Sequence, residues 1–144
     1  METLIVDSII KYLYKVFPEI PAYDDLIRWD NTGEAFFISV VETQRSPNLG
    51  ALNKDTVLLD ILYDPGIHQP DTKCRSMDGA LKDLMEYIPR IDKPRKYFQS
   101  NNIRTTTVNG LLHITFSITT YKTKVWEERP VKRIDLKIEE KFNA

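Results

Sequence analysis

The stretch RTTTVNGLLHITFSITTYK, residues 104–122, decides the fold. Asn109-Gly110 is a strong signal for a two-residue hairpin turn, because both central positions of that turn need positive φ. After it, Leu112, Ile114, Phe116 and Ile118 alternate with His113, Thr115, Ser117 and Thr119. This period of two predicts a strand with one face on a core and a hydroxyl-rich face turned away from it. What the second face meets is the functional question the sequence poses: water, a substrate or another protein.

Upstream of the hairpin, residues 72–88 place Met77, Leu81, Leu84, Met85 and Ile88 on one helical stripe. Asp71 or Thr72 is the expected N-cap and Pro89 the stop. Gly79 inside this helix costs about 1 kcal/mol relative to alanine. The basic, proline-interrupted segment RIDKPRKYFQ, residues 90–99, links the helix to the hairpin. Before the helix, DTVLLDILYDP (55–65) reads as a strand ended by the Asp64-Pro65-Gly66 turn.

GEAFFISVVET (33–43) follows an Asp-Asn-Thr-Gly turn signal, and its Phe36, Phe37, Ile38, Val40, Val41 run predicts a central strand with both faces at least partly covered. Between these two strands, QRSPNLGALNK (44–54) lacks periodicity and reads as a long, mobile connection. IPAYDDLIRW (20–29) suits an edge strand with an irregular, proline-flanked start. Residues 3–17 carry Val6, Ile9, Ile10, Leu13, Val16 and Phe17 at helical spacing, with Thr3 as N-cap and Pro18 as stop.

The last segment, WEERPVKRIDLKIEEKFNA (126–144), has apolar residues at Ile134, Leu136 and Ile138 with charges between them and reads as an extended arm. The predicted architecture is therefore α+β: a mainly antiparallel sheet of four to five strands with two helices packed on one face, in a single domain over 1–125, followed by a C-terminal arm.

Composition narrows the function. Twenty basic and 21 acidic residues give a formal charge of −1, so no overall field draws the chain to nucleic acid or an anionic membrane. Cys74 is the one cysteine, which excludes an internal disulfide and any multi-cysteine zinc site and suits a reducing cytosol. No apolar run is long enough to span a bilayer, and the acidic start METLIVDSIIKYLY is unlike a secretory signal, so a soluble, unexported protein is expected.

Candidate chemistry is sparse. DILYDPGIHQPD gathers Asp60, Asp64, His68 and Asp71, but Asp64 and Asp71 stand where turn and helix-capping carboxylates belong. His113 lies among hydroxyls, yet the sequence has no GxSxG nucleophile turn and no phosphate-cradling GxGxxG or GxxxxGK[ST]. KPRKYF (93–98), with Arg45, mixes cations and aromatics in the manner of a nucleic-acid contact, although in a charge-balanced chain such a patch more often meets solvent or protein. No cofactor is expected.

Five strings in order, IIKYLYKVFPEIPAYDD, EAFFISVVE, LLDILYDP, LKDLMEYIP and VNGLLHITFSITTYK, resemble the tail terminator proteins of tailed phages and prophages of Gram-positive bacteria. The resemblance spans nearly the whole chain. It implies a non-enzymatic subunit of a hexameric ring on the head-proximal end of the tail tube, assembled in the host cytoplasm, that stops tube polymerisation and offers a surface for head attachment. The partners implied are further copies of the chain, the tube protein, the connector or neck proteins and, where the tail has one, the sheath. DNA is passing cargo, and no membrane is involved.

On that reading His113, Thr115, Ser117 and Thr119 face the ring lumen or a neighbouring subunit, where weakly charged walls let a polyanion pass. Subunit and tube contacts are expected at Arg45, Leu49 and Leu52 and at Trp126, Ile134 and Leu136 of the arm. Two other readings compete: a head-to-tail connector ring, and a small metal-dependent hydrolase built on Asp60, Asp64, His68 and His113.

Overall fold

The computed structural model describes residues 2–24, 33–47 and 52–123. In chain order they form α1 (Glu2–Val16), β1 (Ala22–Asp24), β2 (Ala35–Pro47), β3 (Leu52–Asp64), α2 (Pro70–Leu84), β4 (Tyr87–Pro89), β5 (Tyr97–Val108) and β6 (Leu111–Thr123). Among the described residues the strands make one six-stranded sheet in the order β1-β2-β3-β6-β5-β4. The fold is α+β as expected, but the sheet is larger than four or five strands and is mixed, since β1 runs parallel to β2.

Both differences lie at the edges. β4 has three residues, too few for alternation to appear in sequence, and β1, read above as an edge strand over 20–29, is described at Ala22–Asp24, with 25–29 outside the described residues. β4 takes residues assigned above to the end of the second helix: α2 stops at Leu84, and Ile88 reaches the core from a strand rather than a helical stripe. Pro89 is accommodated because an edge strand can lack one ladder donor.

The start of α2 also differs from the expectation. Gln69, at φ 49 and ψ 54, is the N-cap and makes no side-chain cap bond, while Pro70 opens the helix. A proline at the first helical position has φ already set and no N–H to leave unpaired, so neither Asp71 nor Thr72 is needed as a cap. The hairpin turn is as read: Asn109 and Gly110 hold φ of 54 and 78, and β5 and β6 pair antiparallel from Val108↔Leu111 onward.

Two compact units are distinguished. One comprises residues 1–45 and 55–120 and contains the helices, the body of the sheet and the core; the other comprises 46–54 and 121–144, whose described part consists of strand ends. The expected long connection at 44–54 is mostly strand, because β2 continues to Pro47 and β3 begins at Leu52. The described residues, 44–47 and 52–54, are exposed or half-exposed on both faces, which leaves no apolar row to see.

Within the first unit both helices cover one sheet face. Ile5, Val6, Ile9 and Leu13 of α1 and Cys74, Met77 and Leu81 of α2 join a buried cluster with Val57, Leu59, Ile61 and Tyr63 of β3 and Leu112, Ile114, Phe116 and Ile118 of β6. Burying each such aliphatic side chain stabilises by about 1.5–3 kcal/mol. Tyr63 donates its hydroxyl to Glu34, and its ring tilts against Phe36 at 5.4 Å. Lys73 of α2 reaches the same carboxylate at 3.9 Å. The Cys74 thiol is buried and points to the Gly110 carbonyl at 3.6 Å, joining α2 to the hairpin turn.

Candidate assembly surface on the outer face of the sheet

Because Leu112, Ile114, Phe116 and Ile118 point at the helices, the pleat turns His113, Thr115, Ser117 and Thr119 to the opposite face. β6 lies between β3 and β5, so all four are half-buried by flanking strands. On the β5 side the register sets Asn101 against Ser117, Arg104 against Thr115 and Thr106 against His113. On the β3 side Thr56 approaches Thr119 at 3.4 Å and Asp60 approaches His113 at 3.2 Å. These two pairings, ascending on one strand and descending on the other, make β3 and β6 antiparallel.

The face is polar but mostly self-satisfied. Ser117 donates to the Asn101 carbonyl at 3.4 Å, and Asp60 holds His113 through Oδ2. Asp60 Oδ1 is buried with no hydrogen-bond partner, the one unmet acceptor in this row of side chains. Between Asn101 and Arg104 the β5–β6 register shifts, and Asn102 takes a φ of 56 there. Beside this bulge Glu86, Tyr87, Gln99, Ser100, Asn102 and Ile103 line a shallow cleft of about 320 Å³.

Of the hydrolase candidates, the fold brings only Asp60 and His113 together. Asp64 accepts the Gly66 N–H at 3.0 Å, the turn role its position suggested, while His68 and Asp71 are exposed. No group of three or more His, Cys, Asp or Glu side chains among the described residues is placed to hold a metal ion. Burial, then the Asp71 and Asp64 carboxylates, pushes the Cys74 thiol above its ordinary range, which leaves it a poor nucleophile.

Of the contact candidates, Arg45 forms a two-point ion pair with Asp55, at 2.6 and 2.9 Å, which holds its guanidinium firmly charged. Leu52 is 41% exposed. Leu49, Trp126, Ile134 and Leu136 lie outside the described residues. Sequence reasoning overlooked Tyr87, 55% exposed, which shares the outer face at the β4 edge with Tyr97 of the KPRKYF string, 59% exposed. Reading the helix through Ile88 hid Tyr87, although the Tyr-Ile-Pro string before a basic link was an available strand signal.

The family model for phage tail terminator proteins matches residues 4–130, most of the chain. The chain belongs to the phage tail terminator family. The chain is thus a structural component of a phage tail, and the two-helix, six-strand body falls inside the matched span except for the first two residues of α1. No curated protein matches the sequence of this chain. Among solved structures, one aligns with it at a TM-score of 0.41 and 8% identity, covering 88% of this chain and 95% of its own. No helix among the described residues is long and apolar enough to cross a membrane.

Proposed function

We propose that copies of this chain form a hexameric ring on the head-proximal end of the tail tube, halt tube polymerisation and present the surface to which the head attaches. The observation that carries this reading is the family match across residues 4–130. The geometry supports it: both helices occupy one sheet face and leave the other, with His113, Thr115, Ser117 and Thr119, free of core duty.

In the ring these four side chains line the lumen or meet a neighbouring subunit. A wall of hydroxyls already bonded within the sheet offers few cations to hold passing phosphates. The tube protein and the connector or neck proteins contact the ring axially, together with the sheath in a contractile tail. Arg45 and Leu52 on the β2–β3 ends, with Leu49 and the arm residues Trp126, Ile134 and Leu136, supply subunit and tube contacts.

Stopping this reading frame in the producing strain and imaging the lysate by electron microscopy tests the role. Tubes of uncontrolled length, or headless tails, are the expected result. Tails of normal length beside free heads would reassign the chain to the neck, and intact particles would reject both positions.

A further inference from the structure

The connector between β4 and β5 is a strongly basic surface outside the site above. Residues 90–96 hold four cations, Arg90, Lys93, Arg95 and Lys96, against one carboxylate, Asp92. Its base is fixed. Arg90 grips Asp92 at two points, both 2.9 Å, and lies over the Phe98 ring at 4.7 Å. The Ile91 N–H donates to Ser8 Oγ at 3.3 Å, and the Arg90 N–H donates to the Lys96 carbonyl at 2.9 Å.

Lys93, Arg95 and Lys96 are exposed on this fixed base, and none forms a salt bridge among the described residues. Arg95 sits at φ 62, following Pro94, in a backbone conformation where glycine costs less. Ile91 and Tyr97, 43% and 59% exposed, flank the cations. Arg95 and Tyr97 are residue types enriched at protein contacts, and Lys93 and Lys96 add charge that can steer and orient one. Three free cations in a chain of net charge −1 neutralise too few phosphates to hold nucleic acid at physiological salt.

The sheet supplies the complement. β4 is one edge and β1 the other, and at the β1 edge Glu19 and Asp24 are exposed and form no salt bridge among the described residues. Opposite charge on opposite edges of one sheet suits a head-to-tail contact, the kind that closes rings. Resting on the ring reading above, we propose that the β4–β5 connector of one copy docks on the β1 edge of the next, with Lys93, Arg95 and Lys96 against Glu19 and Asp24. Ile91 and Tyr97 are its apolar contacts. Side chains rather than ladder hydrogen bonds make the joint, since β4 is three residues long and ends in Pro89.

Carbodiimide treatment of purified wild-type tails, followed by peptide mass spectrometry, tests this directly, because the reagent joins only an amine and a carboxylate in contact. The two edge strands are five strand spacings apart, about 24 Å, and a link from Lys93 or Lys96 to Glu19 or Asp24 that forms in assembled tails and not in the dilute purified chain joins two copies. That link is the expected product. Tails that contain the chain without it, or with these lysines joined only to another protein, overturn the proposal and leave the terminator role standing. Tails lacking the chain overturn the role itself.

A charge swap gives the second arm. Lys93→Glu, Arg95→Glu and Lys96→Glu together should lower the capped fraction roughly tenfold or more, since like charges then face each other. Adding Glu19→Lys and Asp24→Lys should restore it. Capping that survives the first set, or is not restored by the second, rejects the edge-to-edge contact.

Discussion

His113 on β6 and Asp60 on β3 meet at 3.2 Å across the outer face of the sheet, and the second oxygen of that carboxylate is buried with no partner. The pair is therefore asymmetric. Removing the histidine strands a carboxylate, whereas removing the aspartate leaves an imidazole that is about one-third exposed and can turn to water. His113→Ala should destabilise by about 1–3 kcal/mol, the usual penalty for an unmet buried polar group, and Asp60→Ala by less. Urea unfolding of both variants decides it, and the reverse order would contradict this account.

Gly79 and Gly110 should respond to alanine in opposite directions. A methyl at Gly79, inside α2, would meet nothing within 4 Å, so Gly79→Ala should stabilise by about 1 kcal/mol through helix propensity. Gly110 has equally open space but a φ of +78, which an L side chain resists by roughly 1–2 kcal/mol. Thermal melts should shift up for the first variant and down for the second.

Tyr63 should make the fold sensitive to base. Burial, then its bond to Glu34, raises the phenol well above its ordinary value of about 10. The folded state thus favours the protonated form; that stability is fully present below pH 10 and lost above it, as the unfolded chain releases a proton the folded chain keeps. Denaturation midpoints should fall above pH 10, and fall less steeply in Tyr63→Phe. Parallel curves would show that Tyr63 is not responsible.

Cys74 should resist thiol reagents in the native protein. Its thiol is buried, with its pKa raised, and points to the Gly110 carbonyl. Reaction with a disulfide reagent at pH 8 should be slow until denaturant is added, and rapid native labelling would mean that the contact between α2 and the turn opens readily.

Arg45 offers a separation of folding from assembly. The Arg45–Asp55 pair is exposed on the arginine side, where ion pairs contribute little to stability. Arg45→Ala should leave the melting temperature nearly unchanged while lowering the fraction of tails with normal length. Unchanged tails would remove Arg45 from the contact surface.

The central features were legible because their signals were redundant. Asn109-Gly110 set the hairpin, and the alternation from Leu112 to Ile118 told its core face from its outer face before any fold was known. α1 was readable for a similar reason, since Ile9 and Leu13 repeat at helical spacing and both prove fully buried. Signals failed where elements were short or solvated on both sides. Ile88 fits a helical stripe and a three-residue strand equally well, and the β2–β3 ends carry no apolar row.

The outer face was half legible. Parity alone turned His113 and Thr119 outward, but nothing local paired them with Asp60 and Thr56, residues 53 and 63 positions away in the chain. Such pairings depend on strand order, and β6 inserts between β3 and β5 rather than following the chain. The charged connector stood out in sequence as KPRKYF, yet its relation to Glu19 and Asp24 needed the two edges to be known.

The short edge strands carry one more consequence. β1 pairs with β2 only over Phe36–Ile38 and β4 with β5 only over Tyr97–Gln99, so among the described residues most of the length of a 13-residue and a 12-residue strand lies beyond its edge neighbour. Strand edges of that length can accept an added strand, which makes them the places where a second polypeptide would extend the sheet.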